Sequence, residues 1–288
     1  MNFSIIIPVY NEEKTISQIL ADLKNLVSAH QYDCEIIVVN DGSTDKTKDI
    51  LVKIPNIKII EHLNNQGYGA ALKTGFKAST KNYILIIDGD GTYPIQVIPE
   101  LVKYAPDYDL ISGIRSGKNF DQRWFYLQRL AKFFLKILIN YITKSKVPDI
   151  NCGLRIFKKN IIEKYWNLYP QGFSFTTTSL VAFLANGYQT KFVPIDYHER
   201  QNKSTLKPLI SFINFINLIL KLSLFFKPLK VFLPLSLFIL FTSISIAIYG
   251  LVINNVFYDT TTILLAITAL QTFFFGLLAE IIVHNRKN

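Results

Sequence analysis

Asp88 and Asp90 are two carboxylates one residue apart, in the run Asp88-Gly89-Asp90-Gly91-Thr92-Tyr93-Pro94 that follows the apolar segment Tyr83-Ile84-Leu85-Ile86-Ile87. Ionised side by side they repel, and a divalent cation between them removes that cost while bridging the oxygens of a diphosphate. Ligands of open α/β sheets bind beyond the carboxyl ends of the strands, which is where this pair falls if 83–87 is a strand. A ligand-free Asp-rich turn is the bland alternative, and the placement after so apolar a run argues against it.

Three further segments could serve the same edge. In Pro8-Val9-Tyr10-Asn11-Glu12-Glu13 a strand-to-helix turn would expose Tyr10 for stacking on a nucleobase, or the acidic pair would simply favour a helix start. In Asn40-Asp41-Gly42-Ser43-Thr44-Asp45 the glycine allows a tight turn and Ser43 or Thr44 can cap. Asp41 is then left free to accept hydrogen bonds from a base or ribose. Asn65-Gln66-Gly67-Tyr68-Gly69, ahead of Ala70-Ala71-Leu72-Lys73, puts two glycines before a helix, as where backbone approaches a phosphate. It lacks the third glycine of the dinucleotide fingerprint. Lys73 either reaches a diphosphate or is solvated.

These segments need strands and helices to position them. Phe3–Val9, Glu35–Asn40, Ile57–Glu61, Tyr83–Ile87 and Asp109–Ser112 are short β-rich runs. Ile16, Ile19, Leu20, Leu23 and Val27 have the period of an amphipathic helix. A second helix is expected near Ser43-Thr44-Asp45 and a third over 69–78. The alternation predicts an α/β fold with a mostly parallel sheet.

The last fifth of the chain differs in kind. Val231–Ile253 and Ile263–Val283 each approach the ~20 apolar residues that cross hydrocarbon, with Glu280 alone charged and near an end. The link 254–262 has no Lys or Arg, whereas Lys227, Lys230, Arg286 and Lys287 flank the pair, so the positive-inside rule puts the large domain and both termini in the cytoplasm. Two buried helices of a soluble core are the alternative, but such helices normally keep a polar face. Residues 124–143 are nearly long enough to span, yet Arg129, Lys132 and Lys136 share one face, which fits an interfacial helix better. Residues 201–230 hold Lys203, Lys207, Lys221, Lys227 and Lys230 with no acidic residue, a second membrane-surface segment.

The expected domains are therefore 1–200, 201–230 and 231–288. A net charge of +10 would suit nucleic acid, but no nucleic-acid motif accompanies it, and an anionic bilayer surface is the better match. Cys34 and Cys152 are too few for a disulfide scaffold, and the amino terminus lacks the basic leader of a signal peptide.

In order and spacing, Pro8-Val9-Tyr10-Asn11-Glu12, Asn40-Asp41-Gly42-Ser43, Gly67-Tyr68-Gly69 and Asp88-Gly89-Asp90 resemble family 2 glycosyltransferases with the Rossmann-like GT-A fold. Gly113-Ile114-Arg115, Asp149-Ile150-Asn151-Cys152-Gly153-Leu154-Arg155 and Arg200-Gln201-Asn202-Lys203-Ser204 are similar to signatures of its polyprenyl-phosphate branch. That branch holds dolichyl-phosphate mannose synthase and bacterial undecaprenyl-phosphate sugar transferases.

The resemblance implies that Pro8, Tyr10, Glu12, Asp41, Gly69, Lys73 and Asp88 bind the nucleotide, and that Asp88 and Asp90 hold Mg²⁺ or Mn²⁺. It implies that Arg115, Arg129, Arg200, Lys203 and Ser204 bind the lipid phosphate, with Asp90, Arg115 and Arg200 catalytic and Asp149, Gly153 and Arg155 in a shared motif. There are departures: Thr92 stands where many relatives have a metal-binding Gln, the run 173–178 lacks an acidic residue usual there, and Asn202 replaces a glycine.

The implied reaction is inverting transfer of one sugar from a nucleotide diphosphate sugar to a polyprenyl phosphate at the inner membrane. A phosphate whose second pKa is about 6 is already largely anionic near neutrality, so the nucleophile needs placement by arginines more than a base. Donor sugar and oligomeric state stay open. A processive polysaccharide synthase would need a hydroxyl-activating base and a downstream Q-x-x-R-W signature, and Gln122-Arg123-Trp124 has the wrong spacing. A catalytically silent scaffold would have no need of the intact carboxylate pair.

Overall fold

The computed structural model describes residues 1–116, 133, 136–137, 139–172, 174–198, 217, 221–253 and 258–285. They fall into two compact units, Met1–Phe215 and Ile216–Asn288.

The first unit is built on a seven-stranded sheet of order β3-β2-β1-β4-β6-β5-β7. Its strands are β1 (Asn2–Val9), β2 (Asp33–Asn40), β3 (Lys58–Glu61), β4 (Tyr83–Ile86), β5 (Leu110–Ser116), β6 (Arg155–Lys158) and β7 (Thr190–Asp196). The central strands β1 and β4 are Ile-rich and buried on both faces, as parallel strands covered by helices must be. β1 pairs parallel with β2 and β4, β2 with β3, and β5 with β7.

β6 alone among these strands runs antiparallel, between β4 and β5. The chain leaves the sheet at the carboxyl end of β5 and re-enters at the same edge, with Arg155 level with Ile86 and Ser112. That reversal sets 149–154 beside the carboxyl end of β4.

The helices of this unit are α1 (Ile16–Ala29), α2 (Thr47–Val52), α3 (Tyr68–Ala78), α4 (Ile98–Tyr104), α5 (Lys159–Lys164) and α6 (Phe175–Ala185). α1 buries Ile16, Ile19, Leu20 and Leu23 as its period predicts, against Ile5, Ile7, Ile36 and Val38 of one core. α2 starts at Thr47, later than expected, because Ser43, Thr44 and Asp45 bond elsewhere. Of the expected 124–143 helix, 136–137 and 139–143 are described and helical, with Ile139 and Ile142 buried and Phe133, Ile137 and Tyr141 exposed.

The second unit contains α7 (Leu229–Ile253) and α8 (Asp259–Asn285). They pack on each other through small residues: Ser236, Ser243 and Gly250 on α7, Ala269 and Gly276 on α8. At Gly276 an added Cβ would lie 2.6 Å from the Phe232 Cβ. Glu280 accepts the Leu229 N–H at 3.0 Å, so a lone intramembrane-type carboxylate caps the opposing helix. Only 11% of the most apolar window of each helix is buried within the chain, and Phe238, Phe241, Phe275 and Ile282 face outward. Helices with apolar side chains all round, little covered by the described residues, are consistent with two membrane spans.

Candidate active site

The loops after β1 and β2 are joined side by side. Asn11 sits at φ 57°, a left-handed conformation that Asn tolerates. Its backbone N–H donates to Ser43 Oγ at 3.0 Å and its side-chain Oδ1 accepts the Thr44 N–H at 2.8 Å. Glu12, buried, donates its N–H to Thr47 Oγ1 at 2.9 Å, and Glu13 N–H reaches Asp45 Oδ2 at 3.2 Å. The Thr15 hydroxyl crosses to the Gly89 carbonyl at 2.8 Å, which fixes this assembly against the Asp88 loop. Pro8 lies within β1, and Tyr10 at the exposed edge is 37% accessible, able to receive a flat ring.

Asp41 has several partners within the protein. It is buried and accepts the backbone N–H groups of Gln66 at 2.9 Å and Gly67 at 2.8 Å, while His62 Nδ1 lies 2.6 Å from Oδ1. His62 Nε2 is 2.9 Å from Thr74 Oγ1. Nothing in the sequence marks His62, since a single histidine 21 positions away from Asp41 has no period or motif.

The glycine loop also has close neighbours of its own. Gly67, at φ 99°, and Gly69 admit the chain's own backbone: at Gly69 an added Cβ would lie 2.8 Å from the Gln171 carbonyl carbon and the Gly172 oxygen, and Ala70 N–H donates to Gln171 O at 2.8 Å. The close approach that suggested a phosphate is filled by 170–172. Lys73 lies with Nζ 5.6 Å from the centre of the Trp166 ring, and burial lowers its pKa.

At the end of β4 the carboxylate pair is held from several sides. Asp88 Oδ1 accepts the Tyr68 hydroxyl at 2.8 Å. Burial, then the adjacent Asp88 charge, keeps that phenol well above its usual pKa and so a donor. Gly153 lies directly under Asp88, and Gly153 N–H donates to Tyr93 Oη at 2.6 Å. Asp90, 8% exposed, receives both the N–H (3.1 Å) and the hydroxyl (2.6 Å) of Thr92 on Oδ1. Thr92 thus orients Asp90 by donating to it. Among the described residues no three of His, Cys, Asp and Glu gather as a complete metal cage. One or two carboxylates completed by substrate phosphates is the way Mg²⁺ is commonly held, and the donor set fits that.

Arg115 extends from β5 into the same region. Its Nε and Nη2 donate to Asp149 at 2.7 and 2.9 Å in a fork, and its Cζ lies 5.4 Å from the Tyr197 ring centre. Tyr197 meets Tyr93 edge to face at 5.3 Å, so aromatic contacts link the arginine side to the carboxylate side. Arg155 is wholly buried and donates to the carbonyls of Thr176 and Ile150, which makes it a clamp on the 149–153 loop. Burial, then Asp149, pushes the Cys152 thiol up to about 12, an inert packing group. Arg129, Arg200, Lys203 and Ser204 lie outside the described residues.

The Arg115–Asp149 pair makes a stability prediction. Burial raises the Asp149 carboxyl, but the hydrogen bonds and charge of Arg115 outweigh it and leave the pKa lowered. The contribution is full above the unfolded value of about 4 and is lost as pH falls through the lower folded value. Asp149→Asn should therefore cost about 3 kcal/mol near neutral pH, since it strands a mostly buried guanidinium, and the deficit should shrink in acid. Thermal melts of parent and variant across pH check both the size and the sign.

The family model for glycosyl transferase family 2 matches residues 4–166, more than half of the chain. The chain belongs to glycosyl transferase family 2. Its first unit has the GT-A fold, and the model for the GtrB C-terminal hairpin matches 227–284, the region of α7 and α8. Undecaprenyl-phosphate 4-deoxy-4-formamido-L-arabinose transferase of Pectobacterium carotovorum is 29% identical over 226 residues, 75% of this chain and 65% of that protein. The enzyme of the same name from Sodalis glossinidius is 28% identical over 221 residues, 73% and 64% of the two chains. This family 2 chain thus spans just under two thirds of the length of those curated relatives.

Among solved structures, glucosyl-3-phosphoglycerate synthase from Mycobacterium tuberculosis shares the fold. Its complex with Mn²⁺, UDP-glucose and phosphoglyceric acid superposes with a TM-score of 0.61 at 16% identity, covering 77% of this chain and 79% of that one. The complex with Mn²⁺ and UDP-glucose gives 0.60 at 18%, covering 77% and 78%.

Proposed function

We propose that this family 2 enzyme transfers one sugar, with inversion, from a nucleotide diphosphate sugar to a polyprenyl phosphate at the cytoplasmic membrane face. The observation that carries the reading is the join at one sheet edge between the Asp88 and Asp90 carboxylates and the Arg115–Asp149 fork, made by Gly153 and by the Tyr93–Tyr197 contact. One side suits the phosphate that leaves, the other the phosphate that attacks. The named relatives and the two span-length helices support a lipid acceptor.

Each residue has a task in this scheme. Tyr10 stacks on the base and the loops at Glu12 and Asp41 form the wall behind it. Asp88 and Asp90 would hold Mg²⁺ or Mn²⁺, which when bound supplies charge to the departing nucleotide diphosphate. Tyr68 and Thr92 fix the rotamers of these carboxylates, so little reorganisation accompanies the reaction. Arg115, pre-set by Asp149, orients an acceptor oxygen opposite the leaving group, with Arg129, Arg200, Lys203 and Ser204 as further phosphate ligands. The acceptor is already an anion, so the reading requires no general base.

The Lys227 and Lys230 flank and the Arg286 and Lys287 flank, against a 254–262 link without basic residues, support a catalytic domain on the cytoplasmic side. The test is acceptor chemistry: the purified protein in lipid, given labelled donors and Mg²⁺, should label polyprenyl phosphate and leave the corresponding polyprenol unlabelled. Equal labelling of the alcohol would refute a phosphate acceptor.

A further inference from the structure

An ionised carboxylate has about four lone-pair positions, and Asp41 commits three of them within the protein. His62 Nδ1 and Gln66 N–H fall on Oδ1, at 2.6 and 2.9 Å, and Gly67 N–H falls on Oδ2 at 2.8 Å. A carboxylate only accepts, so His62 Nδ1 carries the proton whatever the state of Nε2, which Thr74 Oγ1 holds at 2.9 Å. The ring is further fixed by its own backbone, since His62 N–H donates to Asn40 O at 2.9 Å. Gly42, at φ 70°, packs so closely on the 64–65 backbone that an added Cβ would lie 2.6 Å from the Asn64 carbonyl carbon. Asp41 therefore cannot turn away from these donors, and the position left to it is on Oδ2.

Guanine presents two adjacent donors on one edge, N1–H and the 2-amino group, and pairs with a carboxylate when both oxygens can accept. Uracil presents one, N3–H, between two carbonyl acceptors. We propose that His62, by filling Asp41 Oδ1 together with the Gln66 N–H, sets the nucleotide site for a uracil-type base with a single imino donor, as in a uridine diphosphate sugar, and against guanine. The proposal rests on the nucleotide-sugar reading above, with Asp41 at the base. His62 is a positioning residue in it, acting through Asp41.

Titration calorimetry of the full-length protein in detergent with Mg²⁺ and either UDP or GDP tests it. UDP should bind at least about tenfold more tightly. His62→Ala, which frees one acceptor position on Oδ1 beside the Gln66 N–H, should narrow that ratio roughly tenfold, and His62→Asn, whose amide N–H can reach the same oxygen, should restore most of it. A general loosening of the fold would weaken both nucleotides alike and leave the ratio unmoved. GDP binding as tightly as UDP, or an unchanged ratio in folded His62→Ala, overturns the proposal while leaving transfer to a lipid phosphate standing. Binding of neither nucleotide overturns the nucleotide-sugar reading itself. Should His62→Ala not fold, the parent ratio and His62→Asn still decide.

Discussion

Asp90→Asn should lower sugar transfer at least about a hundredfold, the scale on which losing one fixed group at a site of developing charge is felt. Asn keeps the volume of Asp90 and an oxygen that can accept both Thr92 bonds, so the fold should be preserved. What is lost is one negative charge next to Asp88, on a side chain 8% exposed, where water cannot substitute for it. The loss should fall on turnover more than on donor affinity, because the charge that matters is the one developing on the leaving diphosphate. Initial rates at saturating donor and varied Mg²⁺ check this, and near-parental turnover would remove Asp90 from the mechanism.

Gly153→Ala should cost a similar factor without deleting any chemical group. An added Cβ would lie 2.8 Å from both Asp88 Cγ and Oδ1, with Oδ2 closer still. The loop cannot retreat easily, since Tyr93 takes the Gly153 N–H, Arg155 takes the Ile150 carbonyl and Arg115 takes Asp149. Asp88 must therefore swing away, and its bond from the Tyr68 hydroxyl goes with it. Overpacking of this kind costs about 1–3 kcal/mol, which leaves a folded protein whose thermal melt shifts modestly. Rates and melts on one preparation separate the two effects: a folded variant within a few-fold of parental rate would show that Gly153 does not place Asp88.

The parts of the fold legible in the sequence were those set by local pattern. β1 and β4 announce themselves as Ile-rich runs, α1 by its apolar period, and the terminal helices by length and lack of charge. Asp88 and Asp90 were legible because their neighbours in sequence carry the signal. The partners that tune them were not: Tyr68 lies 20 positions from Asp88, Tyr93 60 from Gly153, and Asp149 34 from Arg115. The last two pairs exist only once the reversal of β6 has brought 149–154 back to the sheet edge. Asp41 shows the same limit. A polar residue after a strand reads as wholly open to a ligand, but burial there demands that most of its acceptor positions be filled, and His62 with two backbone N–H groups fills three of them.

The most direct measurement of the central claim is the mass of the lipid product formed by the purified enzyme from polyprenyl phosphate and a nucleotide sugar. The account predicts the acceptor plus a single sugar, joined through the one phosphate that the acceptor brought. A ladder of sugars, a product carrying a second phosphate, or no lipid product across a full donor panel would contradict it.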